Sequence, residues 1–259
     1  MSLIKRLQNQ LFGNVRKQRG VVLKDTKVLH STRSGVYKTE RKRLHQSIIS
    51  QLLKNTGKES KNQYSYAFFF GGGSGSGKTT LKMKMLKEHD LLKSINVVNV
   101  DPDEIKLYLP EFEIYKQLSP EKAAFLVHKE SCDIRDLLVE HLIRAKINFI
   151  YESTMAKPKK YKRLFTRLHH EGYKVHLFIS DLPVSLAKQR SAQRAEQDGR
   201  FVPLKIIEDT HKLIPKTFSN IRDLTDSCHI YDSRQGLELI ISSTIGNRTF
   251  YHEFIKKGF

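Results

Sequence analysis

Residues 64–80 read YSYAFFFGGGSGSGKTT. An apolar run from Tyr64 to Phe70 ends in a glycine-rich loop, and the loop ends in Lys78, Thr79 and Thr80. The spacing Gly72-x-x-x-x-Gly77-Lys78-Thr79 fits the P-loop pattern. The small residues Gly72, Gly73, Ser74, Gly75, Ser76 and Gly77 let backbone N–H groups turn inward around a polyphosphate. A helix starting near Gly77 points its positive end at the same anion. Lys78 reaches for the β- and γ-phosphates, the Thr79 hydroxyl is a ligand for Mg²⁺, and Thr80 completes the nucleotide-binding stretch. The bland alternative is a glycine-rich turn. The aromatic strand before the loop and the helical pattern Leu81, Met85, Leu86 after it supply the context that a lone glycine motif lacks.

The chain has 259 residues and is 39% hydrophobic, enough for one large α/β domain or a domain with an extension. No apolar run approaches the ~20 residues of a membrane span. The start, MSLIKRLQNQLFG, has neither a long apolar core nor a small-residue cleavage site, so it does not read as a secretory signal. Cys132 and Cys228 lie far apart without a CxxC partner, which argues against a disulfide framework or a zinc site. The expected compartment is the cytoplasm, with delivery to another cell by a route lacking a cleaved signal left open. Residues 1–62 hold 15 Lys and Arg against 3 Asp and Glu, a net of +12, while the other 197 residues carry +7. Such a block attracts polyanions: nucleic acid, anionic membrane, an acidic protein or a phosphorylated substrate. A solvated basic face is the equal alternative.

Along the chain, Leu3, Ile4, Leu7 and Leu11 have helical spacing, Val21–Leu23 and Val28–Leu29 read as extended pieces, Tyr37–Leu53 as a helix, and Asn55–Asn62 as a loop. Residues 78–93 form the first helix after the loop, and Ile95–Val100 a buried strand that Pro102 ends. Ser119-Pro120-Glu121 signals the start of a helix running to about Lys146. Ile147–Tyr151 and Tyr173–Ile179 read as strands, Pro158–Glu171 and Val184–Gln197 as helices, and Pro203–Leu213 as helical. Cys228–Tyr231 and Leu237–Ile245 read as the last strands. This alternation predicts a mostly parallel, doubly wound sheet. Polar clusters then follow three strands: the glycine-rich loop, Asp101 with Asp103, and Glu152 with Thr154.

A P-loop alone does not separate kinase, hydrolase and switch. Asp101 and Asp103 add one candidate each for two roles, a base that takes a proton from an attacking hydroxyl and an acid of the Mg²⁺ shell. A plain turn is the alternative for Asp101-Pro102-Asp103. Arg190 and Arg194 are four apart on one helix face, and Arg200 follows in a glycine-containing loop. Arginines from a lid neutralise charge on a transferring phosphoryl group; an exposed basic helix is the alternative. His128 reads as a structural helix histidine, with a place facing the site as the alternative, and His169-His170 as surface; Lys157–Lys162 (KPKKYK) reads as a solvated helix start, with contact to phosphates as the alternative.

The loop with Lys78-Thr79, NVDPDEIK, VHKES, the strand end YEST, then GYKVHLF…P…R…R and GRFVP together resemble the zeta toxin family of P-loop kinases. The resemblance runs over about residues 64–232. It implies a three-layer α/β P-loop kinase fold with a mostly parallel sheet over residues 63–259, preceded by a basic, partly helical extension over 1–62. It implies transfer of the γ-phosphoryl group of ATP or GTP, with Mg²⁺, to the 3′-hydroxyl of UDP-N-acetylglucosamine. By the same resemblance Lys78 and Thr79 hold phosphates and Mg²⁺, Asp103 is the base, and Arg194 and Arg200 embrace the phosphates. Asp101, Glu152 and Thr154 bind substrate, and Asp136 stands where the family has a substrate-contacting glutamate. The strand end departs from the family's Glu-Gly-Thr or Glu-Thr-Thr, and the stretch between Arg194 and Arg200 is short. Other acceptors on this framework are a nucleic-acid end or a dinucleotide ribose. A non-enzymatic nucleotide-dependent binding module is the alternative of another class. An acidic antitoxin and, through the basic N-terminus, nucleic acid are the candidate macromolecular partners.

Overall fold

A computed structural model describes residues 23–54, 64–198, 202–242 and 254–258. In chain order these form α1 (Thr26–His30), α2 (Thr39–Lys54), β1 (Ser65–Gly71), α3 (Lys78–Glu88), α4 (Asp90–Ser94) and β2 (Val98–Val100). Then come α5 (Pro102–Lys106), α6 (Pro110–Leu118), α7 (Pro120–Leu126), α8 (His128–Arg144), β3 (Phe149–Ser153) and α9 (Pro158–His170). The chain ends with β4 (Tyr173–Asp181), α10 (Val184–Asp198), α11 (Leu204–Ile221), β5 (Ser227–Asp232) and β6 (Glu238–Ser242). The expected helix near Leu3–Leu11, the Val21–Val22 piece, the Asn55–Asn62 loop and Arg200 lie outside the described residues.

The six strands are ordered β2-β3-β1-β4-β5-β6. β1 pairs in parallel with β3 and β4, and β4 with β5, while β6 runs antiparallel along β5. This is the mostly parallel α/β sheet of a P-loop kinase fold. Its central strand is the apolar one that the sequence picks out: Phe68, Phe69 and Phe70 are fully buried, as a strand covered on both faces must be. The register puts Phe70 beside Glu152 and Gly71 beside both Ser153 and Ile179, so the strands end level at the glycine loop.

The described residues form two compact units, one drawn from 23–54 and 100–141 and one from 64–99, 142–198, 202–242 and 254–258. The second holds the loop and most of the sheet; Phe68, Phe70, Leu81, Met85, Ile150 and Phe178 fill one of its cores. The first is helical. Leu44 and Ile48 of α2 pack with Ile105, Leu109, Ile114 and Ile134 of α5 to α8. At its centre the Arg41 guanidinium pairs two-pronged with Glu111 (2.9 and 2.7 Å) and with Glu130 (2.6 and 2.8 Å). His45 Nε2 lies 2.6 Å from Glu130 and His30 Nε2 2.6 Å from Glu111.

Several elements differ from the expectation in length. The helix expected over 119–146 is two, α7 and α8, parted at Val127. The strand expected over Ile95–Val100 is limited to Val98–Val100. Helix α11 passes Pro215 and continues to Ile221, where the sequence reading stops at Leu213; proline removes one donor, and its buried neighbours Ile214, Phe218 and Ile221 hold the helix across it.

Candidate active site

The loop between β1 and α3 is braced from several sides within its unit. Ser76 N–H donates to the Gly73 carbonyl at 3.2 Å, and the Lys78 ammonium donates to the same carbonyl at 2.8 Å. The Ser233 hydroxyl, just past β5, donates to the Ser76 carbonyl at 2.7 Å, and the Ser180 hydroxyl on β4 donates to it as well. Strands β4 and β5 thus both grip the loop that β1 delivers. Two glycines are required by close approach. Gly75 has φ 75°, and a Cβ there would overlap the Ala187 carbonyl of α10; a Cβ on Gly73 would overlap the His211 imidazole of α11.

His211 was not singled out in the sequence, and it lies only 2% exposed. Its Nε2 is 3.2 Å from the Ser74 carbonyl, so Nε2 carries the proton and donates. Its Nδ1 is buried without a hydrogen-bond partner among the described residues. Burial above all lowers the His211 pKa, against the bond to Ser74 that raises it. Beside it, Asp181 at the end of β4 pairs with Lys257.

Glu152, next to last in β3, is 8% exposed. The Thr79 hydroxyl donates to its Oε1 at 3.0 Å, and the Lys82 ammonium sits 2.8 Å from its Oε2. Lys82 also reaches Asn99 Oδ1 at 3.5 Å. Lys82 is four residues after Lys78 on the same helix, a spacing that puts both on one face and could have been read from the sequence. Thr154 is the first residue after β3 and is half-buried. Arg190 on α10 donates from Nη2 to the carbonyls of Ser233 and Arg234, at 2.9 and 3.0 Å. It ties down the segment after β5, which the lid reading did not anticipate. Arg194, one turn on, is exposed. That segment folds around a cavity of about 510 Å³ lined by Asp232, Arg234, Gln235, Gly236, Leu237 and Glu238. Arg234 closes back on Asp232, N–H to Oδ1 at 2.9 Å and Nε to Oδ2 at 2.6 Å.

The remaining predicted residues belong to the helical unit. Asp101 directly follows β2 and caps α5, accepting the Asp103 N–H at 2.8 Å. Asp103 Oδ1 receives Lys106 Nζ at 2.7 Å, with half of the Asp103 side chain exposed. Asp136 on α8 accepts Arg135 Nε at 2.9 Å. His128 Nε2 lies 3.7 Å from Cys132 Sγ one turn along α8.

A sequence model of the zeta toxin family matches residues 49–244. No curated protein sequence matches the chain. Among solved structures it is similar to one from the PezAT chromosomal toxin–antitoxin system of Streptococcus pneumoniae, with 17% identity, TM-score 0.64, 86% of this chain and 88% of that one covered. It is also similar to AvrRxo1-ORF1:AvrRxo1-ORF2 with sulphate ions, with 17% identity, TM-score 0.68 and 88% and 76% covered. For AvrRxo1-ORF1:-ORF2 with ATP the values are 14%, 0.64, and 88% and 76%.

Proposed function

The chain belongs to the zeta toxin family of P-loop kinases, and from that premise we propose that it transfers the γ-phosphoryl group of ATP or GTP to a hydroxyl of a nucleotide sugar, with UDP-N-acetylglucosamine the first acceptor to test. The observation that carries the reading is the set Lys78, Thr79, Lys82 and Glu152 around the braced loop: two ammonium groups, a hydroxyl and a carboxylate at a helix N-terminus. The loop's backbone N–H donors and Lys78 are suited to the triphosphate. The cavity beside Ser233 is of a size to take the nucleoside end of the donor.

The donor set also fits Mg²⁺. The Thr79 hydroxyl and the Glu152 carboxylate lie within hydrogen-bond distance of each other, and hard oxygen ligands from one or two side chains, completed by phosphates and water, are what this ion takes. Bound there, it would neutralise charge on the β- and γ-phosphates. Glu152 then serves the donor side, and Thr154 keeps the acceptor-side role expected of it. Asp103 is assigned as the base that takes the acceptor hydroxyl's proton, from its place in the family motif. Arg194 and Arg200 are assigned to the phosphates at transfer, and Asp101 and Asp136 to the substrate, on the same ground. Positioning and electrostatics supply most of the rate in such a reaction. A protein antitoxin is the partner proposed for the chain, with the basic 1–62 segment as its dock; the structural relatives include a toxin–antitoxin system.

The test is incubation with ATP and Mg²⁺ against a panel of UDP-sugars, dinucleotides and RNA ends, read by mass spectrometry. A mass gain of one phosphoryl group on a UDP-sugar is expected. Gain on a dinucleotide or an RNA end alone would move the reading to that acceptor, and nucleotide binding with no transfer to any acceptor would leave a binding module.

A further inference from the structure

Helix α9 has two faces of opposite character. Tyr161, Phe165 and Leu168 are buried against the sheet unit. The other face carries Lys159, Lys162, Arg163, Thr166, Arg167 and His170, at spacings of three and four that make one stripe. The stripe is about 16 Å long at 1.5 Å per residue. No Asp or Glu occurs between Lys157 and His170. Lys159, Lys162, Arg163 and His170 are exposed. Among the described residues Lys159, Lys162 and Arg163 form no ion pair or hydrogen bond. The middle of the stripe borders an open depression of about 500 Å³, lined by Lys162, Arg163, Thr166, Arg167 and His170.

We propose that this face of α9 binds the phosphate backbone of a nucleic acid without regard to sequence. The choice of partner follows from what the face lacks. A protein partner of useful affinity needs a buried apolar or aromatic anchor at the centre of its interface; of the large apolar side chains of α9, Tyr161, Phe165 and Leu168 are buried in the core and Leu164 is half-buried. A membrane-surface helix inserts its apolar face, and here that face is already used. No Phe, Tyr or Trp stands among the exposed positions, so the face lacks the large stacking platforms of single-strand binders. What is left is a row of cations with no competing carboxylate on the helix, which is the chemistry of backbone contact and counterion release. The inference stands apart from the kinase reading, because none of these side chains is assigned to the P-loop site.

The experiment compares wild type with the triple variant Lys159→Gln, Lys162→Gln, Arg163→Gln and with a charge-matched control, Lys205→Gln, Lys212→Gln, Lys216→Gln, on the exposed face of α11. Binding of a labelled mixed-sequence RNA duplex is titrated over a range of salt. The α9 triple is expected to weaken binding about tenfold or more near 0.1 M salt and to make the salt slope shallower by roughly two to three. The control triple is expected to change affinity by less than about threefold. Circular dichroism melting verifies that both variants fold, as exposed substitutions should. Loss of equal size in the two triples, no binding by wild type, or equal capture of poly-glutamate or anionic vesicles would overturn the proposal.

Discussion

At the centre of the helical unit lie charges; in the P-loop unit three imidazoles pack on aromatic rings, and burial lowers the pKa of each. In the first, burial by itself would raise the Glu130 carboxyl, but hydrogen bonds from Arg41 and His45 outweigh it and bring the pKa to about 2. Glu111 is lowered for the same reasons, through His30 and Arg41. In the second, His176 stacks on Phe68 at 5.1 Å, His229 stacks on Phe178 at 5.1 Å, and His89 meets Phe178 edge-on at 5.6 Å. Burial lowers all three, His176 to about 4. The contrast is between a unit whose packing includes an obligatory ion cluster and one built from aromatic contact around a phosphate loop. The cluster ties α2 to α6 and α8 through one guanidinium.

The contrast can be broken at Arg41 first. Arg41→Ala leaves two carboxylates buried without their cation, and removal of one partner of a buried pair costs about 3–5 kcal/mol. Chemical denaturation should show that loss, and hydrogen exchange should place it on α2, α6 and α8 rather than on β1 or β4. A uniform loss over both units would mean that they do not differ in what holds them.

The next largest effect is on the loop. Gly73→Ala puts a methyl group into the His211 ring; overpacking of this kind costs about 1–3 kcal/mol and should weaken nucleotide binding. His211→Ala in the same chain should restore part of that binding. The four affinities form a cycle, and additivity within about 0.5 kcal/mol would show that the two residues do not touch.

Acid gives the smallest and most graded test. A histidine with a lowered folded pKa is neutral in both states above about 6.5, so stability is full there. As pH falls toward about 4 the unfolded chain takes up the proton first, and the P-loop unit loses stability in that window. A carboxylate with a lowered pKa keeps its contribution above its ordinary value of 4.5 and loses it as pH falls toward about 2. Exchange protection should therefore fade in β4 and β5 at a higher pH than in α2 and α8. The reverse order would contradict the assignment of neutral and charged centres.

How much of this could be read from residues follows the range of the interactions. Short-range patterns gave β1, β3, β4, β5, α2 and α9 to within a few residues, because apolar runs, Pro158 at a helix start and Gly172 after its end are local signals. Helices α5 and α6 each open with a proline at the first turn, as α7 does, so one local signal marks all three starts. The break at Val127 has no comparable signal. Contacts across long stretches of chain were illegible. Arg41 meets partners 70 and 89 residues away, and His211 meets a loop 137 residues before it. Neither sits in a motif of its own. The Thr79–Glu152 bond lies between: both residues were singled out, but on opposite sides of the reaction, and their direct contact needed the parallel register of β1 and β3 to be seen.

The claim on which the rest depends is that the braced loop is the donor half of a phosphotransferase. Its most direct test is the acceptor assay repeated with Lys78→Ala, alongside a melt to verify the fold. Lys78 supplies the ammonium group at the phosphate loop, and loss of such a charge from a transferring phosphoryl group costs roughly 10³-fold or more in rate. The account predicts that transfer falls by at least that factor while the melting curve is unchanged. Transfer by the Lys78→Ala protein at near the wild-type rate would contradict it.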